Sequence, residues 1–161
     1  MKEFNIKSIG IIHTPWKSVE DVPVQPAGAN NAKGFIEVYK EFAPGIKDLE
    51  GFSHITLIYK FHKIKNHELE VIPFMDTESH GVFSTRAPKR PNSIGISTVK
   101  LLSIKGRIIY ISEVDMLEGT PLIDIKPFFE KFDNRFNTKA GWLDNFKDVD
   151  IKNIRSDKRF K

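Results

Sequence analysis

Pro, Gly and Asn residues divide the chain into short apolar or alternating segments, which leaves little room for helices of ordinary length. In the clearest segment, residues 54–62, every second side chain from Ile55 to Phe61 is apolar, the pattern of a half-buried strand. Many short strands with few helical patterns are typical of a closed or partly closed β-barrel. We therefore predict an all-β fold, a small β-barrel-like domain with few short helices. Further strands are expected at residues 6–13, 35–38, 71–73, 81–84, 94–103 and 107–114.

The segments between the predicted strands have the composition of loops. Residues 22–33 contain two Pro and one Gly and are predicted to form a loop. After Pro127, aromatic and charged residues suit a terminal helix or arm. At 161 residues we expect a single domain, with its core at about residues 6–130 and a C-terminal arm at 131–161. We also expect a turn at residues 43–45, one helical turn at 47–49 and a hairpin connection at 104–106.

The composition excludes several classes of protein. Without cysteine, the chain can form neither a disulfide nor a thiolate metal site. No apolar run approaches the roughly 18 residues of a membrane-spanning helix, and Glu3 and Asn5 interrupt the apolar stretch that a signal peptide requires. We therefore expect a cytoplasmic protein with no membrane partner.

Common metal-binding and catalytic motifs are missing from the sequence. His54 and His62 share a face of one predicted strand, but their separation of eight residues corresponds to roughly 26 Å. His67 and His80 have no histidine partner at the helical i, i+4 spacing and no Cys companion, so we predict no metal site. The sequence also contains no glycine-rich dinucleotide or phosphate loop and no serine nucleophile elbow.

The net charge of +4 is modest, but the charges are segregated along the chain. Residues 79–112 contain no acid, residues 113–133 contain six acids, and a basic tail occupies residues 152–161. This segregation favours a face that binds a polyanion; the alternative is that separate strands carry separate solvated charges. The cations of the acid-free span are Arg86, Lys89, Arg90, Lys100, Lys105 and Arg107.

The most unusual segment of that span is residues 82–95, in which Pro88 and Pro91 exclude a regular helix and restrict the residues before them. A stiff loop would present Arg86 and Arg90 at low entropic cost, and two guanidinium groups suit a carboxylate or a phosphate. The alternative is a surface loop whose arginines pair with neighbouring acids. The residues alone favour neither interpretation.

Two further segments allow a ligand contact without requiring one. In residues 117–127, Gly119 permits a tight turn, and Asp124 and Lys126 would lie on one side of an extended segment. A common turn followed by an edge strand is the simpler explanation of these residues. Residues 22–30 expose amides and carbonyls that suit a polar ligand and equally fit a Pro-rich connector.

Residues 83–97 read Phe-Ser-Thr-Arg-Ala-Pro-Lys-Arg-Pro-Asn-Ser-Ile-Gly-Ile-Ser and resemble the signature of the TsaA-like family, also called the TrmO family. Four other segments occur in the order of that family, and the resemblance covers about residues 6–130. The supporting segments are residues 9–17, 22–26, 49–54 and 118–127.

The resemblance implies a small β-barrel that uses S-adenosylmethionine to methylate N6 of threonylcarbamoyladenosine in the anticodon loop of tRNA. It also implies a homodimer with the cofactor bound near the subunit interface. For catalysis, Arg86 or Arg90 is expected to hold the threonyl carboxylate, and Asp124 is the candidate base. The residues expected to contact the cofactor are Gln25, Pro26, Ala27, His62, Lys63, Arg86, Ile96, Glu118, Gly119, Thr120 and Pro121.

Two other functions stay open at this point. One is a methyltransferase of the same family that acts on another small-molecule or RNA substrate. The other is a non-catalytic RNA-binding barrel that keeps the pocket as a structural relic. Transfer of a labelled methyl group to tRNA separates the enzymes from the binding protein.

Overall fold

The computed structural model describes residues 2–29, 31–146 and 156 of the chain. Its strands are β1 (Gly10–His13), β2 (Lys33–Val38), β3 (His54–Lys60), β4 (Glu70–Val71), β5 (His80–Gly81), β6 (Ile94–Lys105), β7 (Ile108–Ser112) and β8 (Thr120–Pro127). Six of them form a closed antiparallel barrel in the order β1-β2-β7-β6-β3-β8, with β8 paired back onto β1. The short strands β4 and β5 pair with each other outside the barrel. The predicted all-β barrel is confirmed.

The helices are short and lie in the connections. One α-helical turn, α1, spans Glu130–Asp133. Among the described residues, no helix has the length and apolar character needed to cross a bilayer. The 3-10 helices are Val19–Asp21, Pro26–Gly28, Lys40–Ile46, Leu49–Gly51, Val82–Ser84 and Gly141–Phe146.

The apolar faces of the alternating strands fill the barrel. In β3, Ile55, Leu57 and Tyr59 are buried, as the alternation of residues 54–62 predicts. Full burial of an Ile or Leu side chain contributes about 1.5–3 kcal/mol, so this interior is the main source of stability. Other large side chains of the same core are Ile12, Ile36, Val99, Ile109, Ile111 and Leu122.

A close contact between two strands shapes one end of the barrel. Gly95 of β6 lies opposite Tyr59 of β3, and a Cβ atom on Gly95 would be 2.4 Å from Cε2 of that ring. The ring therefore lies directly against the backbone of β6, which only glycine permits. Phe61 packs edge-on against Tyr59, with their ring centroids 5.4 Å apart.

The strand bounds differ from the prediction where the chain leaves the barrel. β1 begins at Gly10 rather than at residue 6, because Ile6 lies outside the barrel and is 57% exposed. β6 continues to Lys105, so the hairpin turns at Gly106, whose φ of +59° favours glycine. The predicted strands 71–73 and 81–84 contribute only to the two-residue strands β4 and β5, since neither segment reaches the barrel ladder.

The connections contain more 3-10 helix than expected. The predicted turn at residues 43–45 lies inside the 3-10 helix Lys40–Ile46, because the Pro44 carbonyl accepts a hydrogen bond from the Lys47 N–H at 3.4 Å. The helical turn predicted at residues 47–49 begins two residues later, at Leu49–Gly51. The loop predicted at 22–33 contains a 3-10 turn and ends where β2 begins. Apart from Ser156, the predicted basic tail 152–161 lies outside the described residues.

Candidate functional site

A cavity of about 840 Å³ lies where the C-terminal end of β3 meets the N-terminal ends of β6 and β8. Loop segments within residues 19–25, 73–75, 83–90 and 115–117 supply further walls. Most lining side chains are apolar. Sites for small molecules typically have such a lining, with a few polar groups that orient the ligand. The apolar side chains include Val22, Val24, Phe61, Phe74, Met75 and Met116.

The cavity collects residues from most of the segments in which ligand contacts were predicted. These segments are distant in the sequence, and the closure of the barrel brings them together. The predicted site residues that line the cavity are Gln25, His62, Lys63, Arg86, Arg90, Ile96 and Thr120.

Other predicted site residues lie outside the cavity lining, and Glu118 is the clearest case. Its carboxylate accepts a hydrogen bond from the Thr14 N–H at 2.6 Å and lies 2.8 Å from Nδ1 of His13. Burial alone would raise the pKa of Glu118, but the hydrogen bonds from His13 and Thr14 outweigh it and lower the pKa. In this structure, therefore, Glu118 ties the start of β8 to the end of β1.

Five more predicted residues flank the cavity or point elsewhere. Pro26 and Ala27 lie in the 3-10 turn that follows Gln25. Gly119 has a φ of +74° and donates its N–H to the Ile12 carbonyl at 3.0 Å, and Pro121 pairs with β1. The Asp124 carboxylate lies 2.9 Å from Nζ of Lys126 in β8, so the expected shared side is confirmed. The structure does not bring Asp124 to the cavity.

The two arginines of the signature loop are used differently, although both line the cavity. Nη1 of Arg90 donates to the carbonyls of Val82 and Thr85, both at 2.9 Å, and its guanidinium lies 5.8 Å from the centroid of the Phe83 ring. Arg86 is exposed and donates from Nη1 to the side-chain oxygen of Gln25 at 3.0 Å. Arg90 thus holds the loop together, whereas Arg86 joins two walls of the cavity.

The cavity also contains a carboxylate that sequence reasoning missed. Asp115 is only 9% exposed, and its Oδ1 has no hydrogen-bond partner in the described part of the chain. Burial raises the pKa of Asp115 to about 7, although a hydrogen bond with Ser97 and the positive charge of Arg86 oppose the shift. The Tyr59 hydroxyl lies 3.0 Å from Ser97 Oγ, and burial together with the charge of Asp115 raises the pKa of Tyr59.

Another titratable group of the cavity is His62, one of the predicted contact residues. Burial, with the charge of Lys63 as a second cause, lowers the pKa of His62 below its ordinary 6.5. Its Nδ1 lies 3.4 Å from the hydroxyl of Thr120. Near pH 7 this imidazole is therefore uncharged and offers one donor and one acceptor.

The C-terminal arm completes the cavity. Trp142 stacks on His80 with ring centroids 4.4 Å apart and donates its indole N–H to the Ser84 carbonyl at 2.9 Å. Trp142, Leu143 and Phe146 line the cavity, as does Ser156. The arm is thus part of the site.

Comparisons with known proteins agree with this arrangement. A family model described as the tRNA-methyltransferase O N-terminal domain matches residues 11–134. The chain is 52% identical over 155 residues to a probable S-adenosyl-L-methionine-binding protein of Pyrococcus abyssi, covering 96% of this chain and 83% of that protein. It is 34% identical to a Mus musculus tRNA (adenine(37)-N6)-methyltransferase, over 80% of this chain and 32% of that enzyme.

A solved structure shares both the fold and the sequence pattern. The crystal structure of TrmO from Pseudomonas aeruginosa matches with a TM-score of 0.74 and 31% identity, over 88% of this chain and 63% of that one. This chain therefore spans less than two thirds of that TrmO and about a third of the mouse enzyme. By its sequence match, its barrel and its cavity, the chain belongs to the TrmO family, whose N-terminal domain it contains.

Proposed function

We propose that this chain is an S-adenosylmethionine-dependent methyltransferase that modifies N6 of an adenosine in tRNA. The observation that carries the proposal is the cavity, since Gln25, His62 and Arg86 reach it from three segments predicted to contact the cofactor. The relatives support it by name: one is a probable S-adenosyl-L-methionine-binding protein and another a tRNA (adenine(37)-N6)-methyltransferase.

The residues of the cavity fit this cofactor. Its volume of about 840 Å³ is within the roughly 300–1,000 Å³ that is usual for small-molecule sites. Phe61 and Ile96 offer apolar surface to an adenine ring and an alkyl chain, and Gln25 offers an amide. Arg86 and Asp115 place charges of both signs on the wall, as a charged ligand requires, and Oδ1 of Asp115 has no hydrogen-bond partner among the described residues.

When bound, the cofactor supplies an electrophilic methyl group on a sulfonium. The work left to the protein is to bind the two reactants in line and to exclude water, which accounts for much of the rate gain in transfers of this kind. The side chains of Phe61, Met116 and Leu117 supply apolar wall that disfavours water in the cavity. Thr120 and His62 provide a hydroxyl and a neutral imidazole that orient a polar group.

The substrate we propose is threonylcarbamoyladenosine beside the tRNA anticodon. Its threonyl carboxylate needs a cationic partner, and the cavity offers Arg90 and Lys63 besides Arg86. Both described hydrogen bonds of Arg90 use Nη1, which leaves the donors of Nη2 and Nε for an anion. The acid-free span 79–112 contains this loop and suits the phosphates of the anticodon arm. Such a substrate is consistent with a cytoplasmic protein.

Methyl transfer to tRNA tests the proposal directly. Purified chain is incubated with methyl-labelled S-adenosylmethionine and with tRNA that carries, or lacks, the threonylcarbamoyl group. We expect label only in the modified tRNA, because the unmodified adenosine lacks both the carboxylate and the acidified N6–H. Equal labelling of both tRNAs would show a different substrate within the family, and no labelling despite cofactor binding would favour a binding protein.

We also propose that the chain works as a homodimer. Phe83 and Ile96 lie at the cavity and are 75% and 56% exposed, so the cavity rim presents apolar surface suited to a second copy. Light scattering at tens of micromolar protein should give twice the 18.5 kDa mass of one chain. Phe83→Ser should lower that mass, and a monomeric wild-type protein would contradict the proposal.

A further inference from the structure

Asp115 is a buried carboxylate in need of a partner. It lines the cavity, is nine-tenths buried, and its Oδ1 receives no hydrogen bond within the described residues. A buried carboxylate oxygen without a partner is costly, and native structures almost always satisfy such atoms. A hydrogen-bond donor on the ligand is the natural partner, because Asp115 lines a cavity large enough to hold one.

An opposite charge lines the same cavity. Arg86 is near enough for its positive charge to act on Asp115, yet its described hydrogen bond goes to the neutral side chain of Gln25. The rest of the wall is largely apolar, with Tyr59 and Met116 beside Asp115. Among the cations of the cavity, Arg86 is therefore the one whose charge acts on the buried anion Asp115.

We propose that Asp115 and Arg86 together bind an α-amino acid group, with Asp115 accepting hydrogen bonds from the ammonium and Arg86 donating to the carboxylate. The inference rests on the proposed function, in which the ligand is S-adenosylmethionine, and it assigns the methionyl end of that ligand to this pair. Both charges of a zwitterion are then matched by charge-assisted hydrogen bonds, which are roughly twice as strong as neutral ones.

The same pair distinguishes the two reactants. A threonylcarbamoyl group has a carboxylate, but its nitrogen is acylated and carries no positive charge. Bound at this pair it would satisfy Arg86 and leave the Asp115 carboxylate without a cationic partner. The methyl donor is therefore bound at this pair, and the threonyl carboxylate is left to Arg90 or Lys63, the other cations of the cavity.

Calorimetry with two thioether ligands tests the assignment. S-adenosylhomocysteine carries the amino acid group, and 5′-methylthioadenosine has the same nucleoside and thioether without it. We expect Asp115→Asn to lower the affinity for S-adenosylhomocysteine at least tenfold at pH 7.5. The affinity for 5′-methylthioadenosine should change less than about twofold. Asp48→Asn, which removes a carboxylate from an exposed turn outside the cavity, should change neither.

Each other outcome contradicts part of the scheme. Unchanged affinity of Asp115→Asn for S-adenosylhomocysteine overturns the inference and leaves the proposed function intact. If Asp115→Asn lowers the affinity for both ligands equally, Asp115 contacts the nucleoside, and the inference is again overturned. A wild-type protein that binds neither these ligands nor S-adenosylmethionine overturns the inference and the proposed function together.

A measurement on the wild-type chain keeps the test valid if Asp115→Asn fails to fold. At pH 7, an ammonium that pairs with Asp115 stabilises its ionised form, so binding of S-adenosylhomocysteine should release about half a proton. Calorimetric titrations in two buffers of different ionisation enthalpy measure this proton release. No release is expected with 5′-methylthioadenosine. If S-adenosylhomocysteine also binds without releasing a proton, the inference is overturned. Other groups do not mimic it, since Tyr59 stays protonated and His62 neutral at this pH. The charged or titratable groups around Asp115 in the cavity are Tyr59, His62, Lys63, Arg86 and Arg90.

Discussion

Replacing Arg90 with Ala is expected to lower the free energy of unfolding by about 2–3 kcal/mol, whereas Arg86→Ala should change it by less than about 0.5 kcal/mol. Arg90 is half-buried and donates to the Val82 and Thr85 carbonyls, so its loss leaves two loop acceptors without a charged donor. Arg86 is exposed and has a neutral partner in Gln25. Urea denaturation of the two variants beside wild type measures the difference.

For ligand binding the order of the two variants should be reversed, with the larger loss in Arg86→Ala. Arg86→Ala is expected to lower the affinity for S-adenosylmethionine at least tenfold, because it removes a charge-assisted hydrogen bond to the ligand in the cavity. Arg86→Lys should restore only part of the affinity, since an ammonium cannot form the planar fork. If Arg90→Ala is as stable as wild type, its two hydrogen bonds do not hold the loop; if Arg86→Ala binds normally, the ligand lies elsewhere.

The contrast between these arginines shows where sequence reasoning stops. The two Pro residues correctly indicated an irregular loop, and both arginine side chains line the cavity in the structure. The sequence did not show that the 3-10 helix Val82–Ser84 directs the carbonyls of Val82 and of the following Thr85 toward Arg90, because a helix of three residues leaves no periodic pattern. Only the folded loop distinguishes the guanidinium that supports the backbone from the one that joins two walls.

The barrel was predictable because its signal is local. In β3, strict alternation places Ile55, Leu57 and Tyr59 on the buried face, and a twofold period specifies a strand regardless of its neighbours. Bounds were less accurate where the chain leaves the sheet. β1 begins at Gly10, since pairing with β2 and β8, rather than hydropathy, decides where a strand starts.

Asp115 could not be identified in the same way. It belongs to the acid-rich span 113–133, and its residue type gives no sign that it differs from Glu113 or Glu118. Its burial arises because β7 ends at Ser112 and the chain then crosses the end of the barrel to β8, a tertiary arrangement. The one local signal was its position between the apolar residues Val114 and Met116, both of which are buried.

The pH dependence of stability should reveal the burial of Asp115 directly. Its pKa is raised from an ordinary 3.8 to about 7 in the folded protein. Between these values the folded state holds a proton that the unfolded state has lost, so stability falls as pH rises and stops falling above about pH 7. Relative to Asp115→Asn, whose side chain does not titrate, wild type should lose about 2–3 kcal/mol between pH 5 and pH 8.

Taking the difference between the two proteins isolates this single group. His62, whose pKa is lowered, makes folding more favourable as pH rises toward 6.5, but it does so equally in both proteins. Glu118, also with a lowered pKa, affects stability only in more acidic solution and is likewise present in both proteins.

Urea denaturation without ligand at four pH values between 5 and 8 gives the two curves of stability against pH. Curves that converge toward pH 5 and separate toward pH 8, with Asp115→Asn the more stable at pH 8, fit a buried carboxylate that is forced to ionise. Parallel curves would mean that water reaches Asp115, and the cavity would then lack the dry, charged end on which ligand recognition depends.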